Sequence, residues 1–146
     1  MNAQNYTQKS LEAIQNAQKL TIDHANQQIE QVHLLGALLQ QEGGLIPQLL
    51  QKMGRAPESL AAAVSKEITK LPSVTGSGRE ADKYYIAREV DQVFQEAESA
   101  AAQMHDDFVS VEHLFLALLT CPDRTLKQLF STYQLQKEAV LQALYV

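Results

Sequence analysis

The chain has 146 residues, 17 acidic against 12 basic side chains for a net charge of -5, and 45% hydrophobic residues without a tryptophan. A single domain of this size buries roughly 68–70% of its unfolded surface, so it needs neither disulfide nor metal to fold, and a lone Cys121 provides neither. The basic residues are scattered singly and the polar faces of the amphipathic segments carry Glu and Gln, which argues against nucleic acid and against a membrane surface as partners.

No apolar run reaches the length of a membrane span, and the N-terminus, MNAQNYTQKSLEAIQ, lacks a basic stretch followed by an apolar core. With the solitary cysteine pointing to a reducing compartment, a soluble cytoplasmic protein is expected. In chain order, residues 7–24 place Leu11, Ile14, Ala17 and Ile22 on a broad helical stripe that also includes Thr7. Residues 31–39, QVHLLGALL, form a very apolar helix. Stop signals at Gly43-Gly44, Gly54 with Pro57, and Pro122 mark the ends of further short helices. LPSVTGSGREAD, residues 71–82, reads as an exposed linker.

Residues 82–104 predict a long amphipathic helix with Ile86, Val90, Val93, Phe94, Ala97, Ala101 and Met104 on one stripe. Residues 111–119, VEHLFLALL, repeat the apolar helix at an offset of eighty. At that offset Ile29 matches Val109, His33 His113, Leu34 Leu114, Ala37 Ala117, Leu38 Leu118, Leu39 Leu119, Gln48 Gln128 and Leu49 Leu129. The pattern predicts an all-α fold of eight helices, a four-helix unit duplicated about a pseudo-twofold axis. It is read as one domain: repeat one over 1–70, the linker over 71–82, repeat two over 83–146.

Chemistry is sparse. His33 and His113, in the first turns of the apolar helices, suit a shared packing role, and His24 and His105 offer no metal-ligand spacing. Glu112 and His113 point about a hundred degrees apart on a helix, and a lone Cys121 before Pro122 is a weak basis for a cysteine enzyme. No G-x-x-x-x-G-K-[ST] cradle for phosphates occurs, so the chain is not expected to hydrolyse ATP.

The two copies differ where packing alone does not require it. Gly36 becomes Leu116, giving six consecutive apolar residues from Leu114 to Leu119, and Val32 becomes Glu112, behind Ser110 as N-cap. Either the halves pack asymmetrically or one side exposes a hydrophobic groove. Glu112 suits the helix dipole; beside a groove it would favour segments with apolar and basic side chains.

The duplicated apolar-x-x-x-His-Leu-x-x-Ala-Leu-Leu pattern, with EGGLIPQLLQKMG and KLPSVTGSG, resembles the Clp N-terminal repeat at the front of Clp-type AAA+ unfoldases, and the ClpB disaggregase branch more than ClpA or ClpC. The resemblance implies a mobile module that engages unfolded or aggregated polypeptides and has no cofactor of its own. It would be monomeric in isolation and precede ATPase modules that use ATP and Mg, form a hexamer and cooperate with the DnaK system in refolding. It implies a substrate site with Glu112 as its acidic and Thr7 as its polar member. The family's apolar contacts fall on Phe94, Glu96, Ala100 and His113, two of them polar here, and Val93, Val109 and Leu116 complete the expected shallow groove. His113 at its rim would make binding pH-dependent. A ClpC-like adaptor or phosphoarginine site is the alternative; its Thr-Glu-His triplets correspond to Gln31-Val32-His33 and Val111-Glu112-His113, with one glutamate of two.

Overall fold

A computed structural model describes residues 2–74 and 84–145. Within them lie eight α-helices: α1 (Gln8–Asp23), α2 (Gln31–Gln40), α3 (Leu45–Lys52), α4 (Pro57–Lys70), α5 (Arg88–Gln103), α6 (Val111–Thr120), α7 (Arg124–Thr132) and α8 (Lys137–Leu144). Local chemistry sets their ends. Thr7 Oγ1 accepts the Ser10 N–H at 3.2 Å to start α1, and Asp123 Oδ1 accepts the Leu126 N–H at 2.9 Å to start α7. Pro57 occupies the first turn of α4.

The duplication is written in the backbone. α1 and α5 both end in a left-handed residue, Ala25 and His105, eighty positions apart, and α3 and α7 do so at Gly54 and Gln134. The closing hydrogen bonds match as well: Asn26 N–H to Thr21 O corresponds to Asp106 N–H to Ala101 O, and Arg55 N–H to Leu50 O to Leu135 N–H to Phe130 O. The apolar helices α2 and α6 pack against each other at the centre. Residues 31–39 are buried throughout α2, and so are Val111 and 113–118 of α6.

Two short parallel pairings tie the halves together reciprocally. The strand leading into α5, β2 (Tyr85–Ile86), pairs with β1 (Gln28–Ile29) just before α2. Tyr6, leading into α1, bridges to Val109 just before α6. The predicted helix over 82–104 therefore begins only at Arg88. Ile86 leaves the helical stripe for β2, where it is exposed, because its neighbours Tyr85 and Ala87 donate to the carbonyls of Gln27 and Ile29. Of the linker, 72–74 are exposed and lie against the α1–β1 turn, with Ser73 Oγ donating to His24 O and Asn26 Nδ2 to Pro72 O. Residues 75–82 of it fall outside the described residues.

Candidate functional site

An acid–base reading of the domain would start at the two histidines of the central helices. In the first half Glu30 N–H donates to His33 Nδ1 at 2.9 Å and the far ring nitrogen meets Asn26 Oδ1 at 2.9 Å. In the second, Ser110 N–H donates to His113 Nδ1 at 2.9 Å, and Nε2 meets Asp106 Oδ2 at 2.8 Å. Since Nδ1 accepts in both, Nε2 carries the hydrogen and the ring is locked as a strut between the preceding turn and the helix cap. Ser110, His113 and Asp106 line up like a nucleophile, base and carboxylate, but the first half builds the same strut without a hydroxyl, and His113 is 1% exposed. That burial corrects the expectation of a rim histidine: His113 belongs to the core. Burial, with a smaller contribution from His24, pulls the His33 pKa down to about 4.

The surroundings of Cys121 do not favour its thiolate. Its thiol donates to Ala117 O at 3.2 Å, and burial together with the nearby Glu96 carboxylate raises its pKa against the opposing Lys137.

The copies diverge most at the outer face of the central helices. In the first half Gly36 lets α4 and α1 close directly onto α2: a Cβ there would sit 3.3 Å from Val64 Cγ1, 3.5 Å from Leu20 Cδ1 and 3.7 Å from Ile68 Cδ1. In the second half Leu116 stands at the position of Gly36 and Ala100 at that of Leu20, while α8 ends at Leu144, the counterpart of Val64. The gap left between α5, α6 and α8 is a cleft of about 200 Å³ lined by Glu96, Ala100, Gln103, Met104, Leu116, Ala117, Thr120, Lys137, Leu141 and Tyr145. It exceeds the volume of a cavity that holds benzene, so it takes one large apolar side chain.

Three of the sequence-derived residues, Glu96, Ala100 and Leu116, meet in this cleft. Glu112 is half-buried one turn before Leu116 on the same stripe of α6. Thr7 and Val109 meet at the end of that stripe, where Thr7 N–H donates to Val109 O at 2.9 Å and Ser10 Oγ reaches the same oxygen at 3.0 Å. Val93, Phe94 and Val109 are core residues, between 0% and 7% exposed, and do not line the cleft. Tyr6 closes this end: its hydroxyl donates to Glu98 at 3.1 Å, and burial followed by the Glu98 charge holds the phenol well above its ordinary pKa.

Seven of the ten residues lining the cleft escaped the sequence reading of the site, and so did Gln31. Leu141 and Tyr145 supply the α8 wall of the cleft. Gln31, fully buried, pins the halves together: its Nε2 donates to Glu89 O and Cys121 O at 3.0 Å each, and its Oε1 accepts the Asp123 N–H at 2.8 Å. Around it, burial and mutual repulsion with Glu89 raise the pKa values of Glu30 and Asp123. A glutamine between Glu30 and Val32 at the head of the apolar helix gives no sequence signal for this pin. Among the described residues no cluster of three or more His, Cys, Asp or Glu is arranged to hold a metal, and no helix is long and apolar enough to cross a membrane.

A duplicated four-helix unit with reciprocal strand pairing is the architecture of Clp-type N-terminal domains. Residues 5–133 match the Clp repeat (R) N-terminal domain, and the chain belongs to that family. It is 46% identical over 143 residues to the chaperone protein ClpB of Porphyromonas gingivalis, covering 96% of this chain and 16% of the relative. The chain thus spans about a sixth of the length of such relatives, as an N-terminal domain of the ClpB type. In three dimensions it resembles the Hsp104 N-terminal domain of Candida albicans, with a TM-score of 0.81 at 22% identity over 95% of this chain and 88% of that one. The ClpV N-domain in complex with a VipB peptide has the same fold, at a TM-score of 0.69 and 18% identity over 96% of this chain and 89% of that one.

Proposed function

We propose that this domain captures apolar segments of unfolded or aggregated polypeptide for a ClpB-type disaggregase, seating one large side chain between α5, α6 and α8. The observation that carries the reading is the asymmetry between the copies: the site filled by Val64 and Ile68 around Gly36 is an open cleft around Leu116 and Ala100. Glu112 and Glu96 at its margins favour segments that pair an apolar with a basic residue. That a ClpV N-domain of this fold is known with a peptide supports peptide capture. The module itself binds without catalysis or cofactor. ATP and Mg belong to the ATPase modules of longer, cytoplasmic, hexameric relatives, and hand-over from the DnaK system belongs to the whole machine; the isolated domain acts as a monomer. The phosphoarginine alternative loses ground because Val32, where its second glutamate would stand, is 3% exposed and part of the core.

An amide NMR titration with an unfolded model protein tests this. Shifts at Ala100, Gln103, Leu116, Thr120 and Leu141, weakened in Glu112→Ala, are expected. An unperturbed cleft at saturating ligand overturns the assignment.

A further inference from the structure

The cleft does not end at Thr120. Thr120 and Lys137 also line a second depression of about 450 Å³, which shares Phe130, Ser131, Leu135 and Gln136 with a third of about 650 Å³ reaching Arg55. The three form one path from Tyr145, around the N-terminal end of α8, to the α7–α8 turn. Its floor stays apolar, with Leu119, Pro122, Phe130, Leu135 and Ala139, but its charge changes sign. The α5 side presents Glu96, Lys137 stands at the junction and lines both depressions, and the far side presents Lys127 and Arg55 against Glu138. Neither Lys127 nor Lys137 is ion-paired among the described residues. Arg55 is anchored by donating to Tyr133 O and Gln134 O at 3.1 and 3.2 Å, so its charge is fixed in place. Gln136, the N-cap of α8, lines the trough and makes no side-chain cap hydrogen bond, and Glu138 in the first turn offsets part of the helix dipole. On a chain of net charge -5 this is a local reversal.

We infer that the α7–α8 trough is a second subsite for the same extended polypeptide, selecting an apolar residue flanked by carboxylates downstream or upstream of the basic-apolar residue in the cleft. The inference rests on the cleft reading above. The eight residues of α8 span about 12 Å, which about four extended residues cover. The preferred segment is therefore bipolar, a basic-apolar end and an acidic-apolar end about four residues apart, which neither uniformly basic nor uniformly acidic chains satisfy.

Three peptides and one surface variant test it by fluorescence anisotropy on the 146-residue chain. The first carries only a Lys-Leu end; the second adds a four-residue Gly-Ser spacer and a Leu-Asp-Glu end; the third replaces that end by Leu-Asn-Gln. The acidic peptide is expected to bind about tenfold tighter than its amide counterpart at low salt. Lys127→Glu, at an exposed residue outside the cleft, should abolish that gain and leave the short peptide unaffected. Equal affinity of the acidic and amide peptides, or a gain that survives in Lys127→Glu, overturns the trough while the cleft stands. Failure of the short peptide to bind removes the cleft reading and the inference with it.

Discussion

The two halves of this domain are built on one plan and finished differently. Around α2 the outer helices press home because Gly36 has no side chain to hold them off. Around α6, Leu116 occupies that space, Ala100 withdraws from it, and α8 covers less of the central helix than α4 does of α2. One copy was kept as a closed core and the other as a core with a door. A missing side chain here makes a tight seam, and an added one makes a cavity beside itself.

The strongest way to break the contrast is Gly36→Leu, which copies the second half into the first. With Val64 Cγ1 at 3.3 Å from the new Cβ, overpacking should cost about 3 kcal/mol, read as a lowered urea midpoint. If stability is unchanged, α4 has swung out, and a second cleft should appear in a peptide titration. Next in size, Gln31→Leu should cost about 2 kcal/mol, since the Glu89 and Cys121 carbonyls and the Asp123 N–H lose their partner in a buried seam. Its counterpart Val111, also buried, has an apolar side chain and no such duty.

The histidine struts sharpen the comparison through pH. The His33 pKa is lowered from 6.5 to about 4, so its contribution is fully present above pH 6.5 and is lost as pH falls towards 4. By linkage this removes about 2 kcal/mol between pH 7 and 5. Asn26→Asp, copying the Asp106 arrangement, should flatten that decline by giving the protonated ring a counter-ion; an unchanged slope would mean His33 is not its source. The smallest effect expected is Asp123→Asn. The amide keeps the cap on Leu126 and removes a repelling charge near Glu30 and Glu89, adding a few tenths of a kcal/mol at pH 7. Because the carboxyl pKa is raised from 3.8, the penalty is absent below that ordinary value, builds as pH rises from it to the raised folded value and is constant above, so the gain should vanish below about pH 3.8.

Periodicity made the repeat, the burial of α2 and α6 and the N-cap at Ser110 legible, because those features are local or recur at a fixed offset, whereas Thr7, read as part of the helical stripe, caps α1 instead. It also singled out Gly36 and Leu116, positions around which the two halves pack differently. It misread Ile86, which fits the helical stripe with Val90 and Val93 yet is claimed by a strand partner 57 residues away, at Ile29. The same distance effect hid Gln31, whose bonds reach across 58 to 92 residues. The α8 wall of the cleft depends on how far that helix stands from α6, which no pattern within α8 encodes.

The reciprocal strand pairing carries a consequence for how the chain holds together. Tyr6 is gripped by the second half and Ile86's strand by the first, so each repeat completes its own entrance only on the body of the other. Neither repeat is a finished object. Residues 2–74 and 84–145 produced as two separate chains should co-elute as one particle and melt in a single transition, each half serving as the scaffold on which the other is folded.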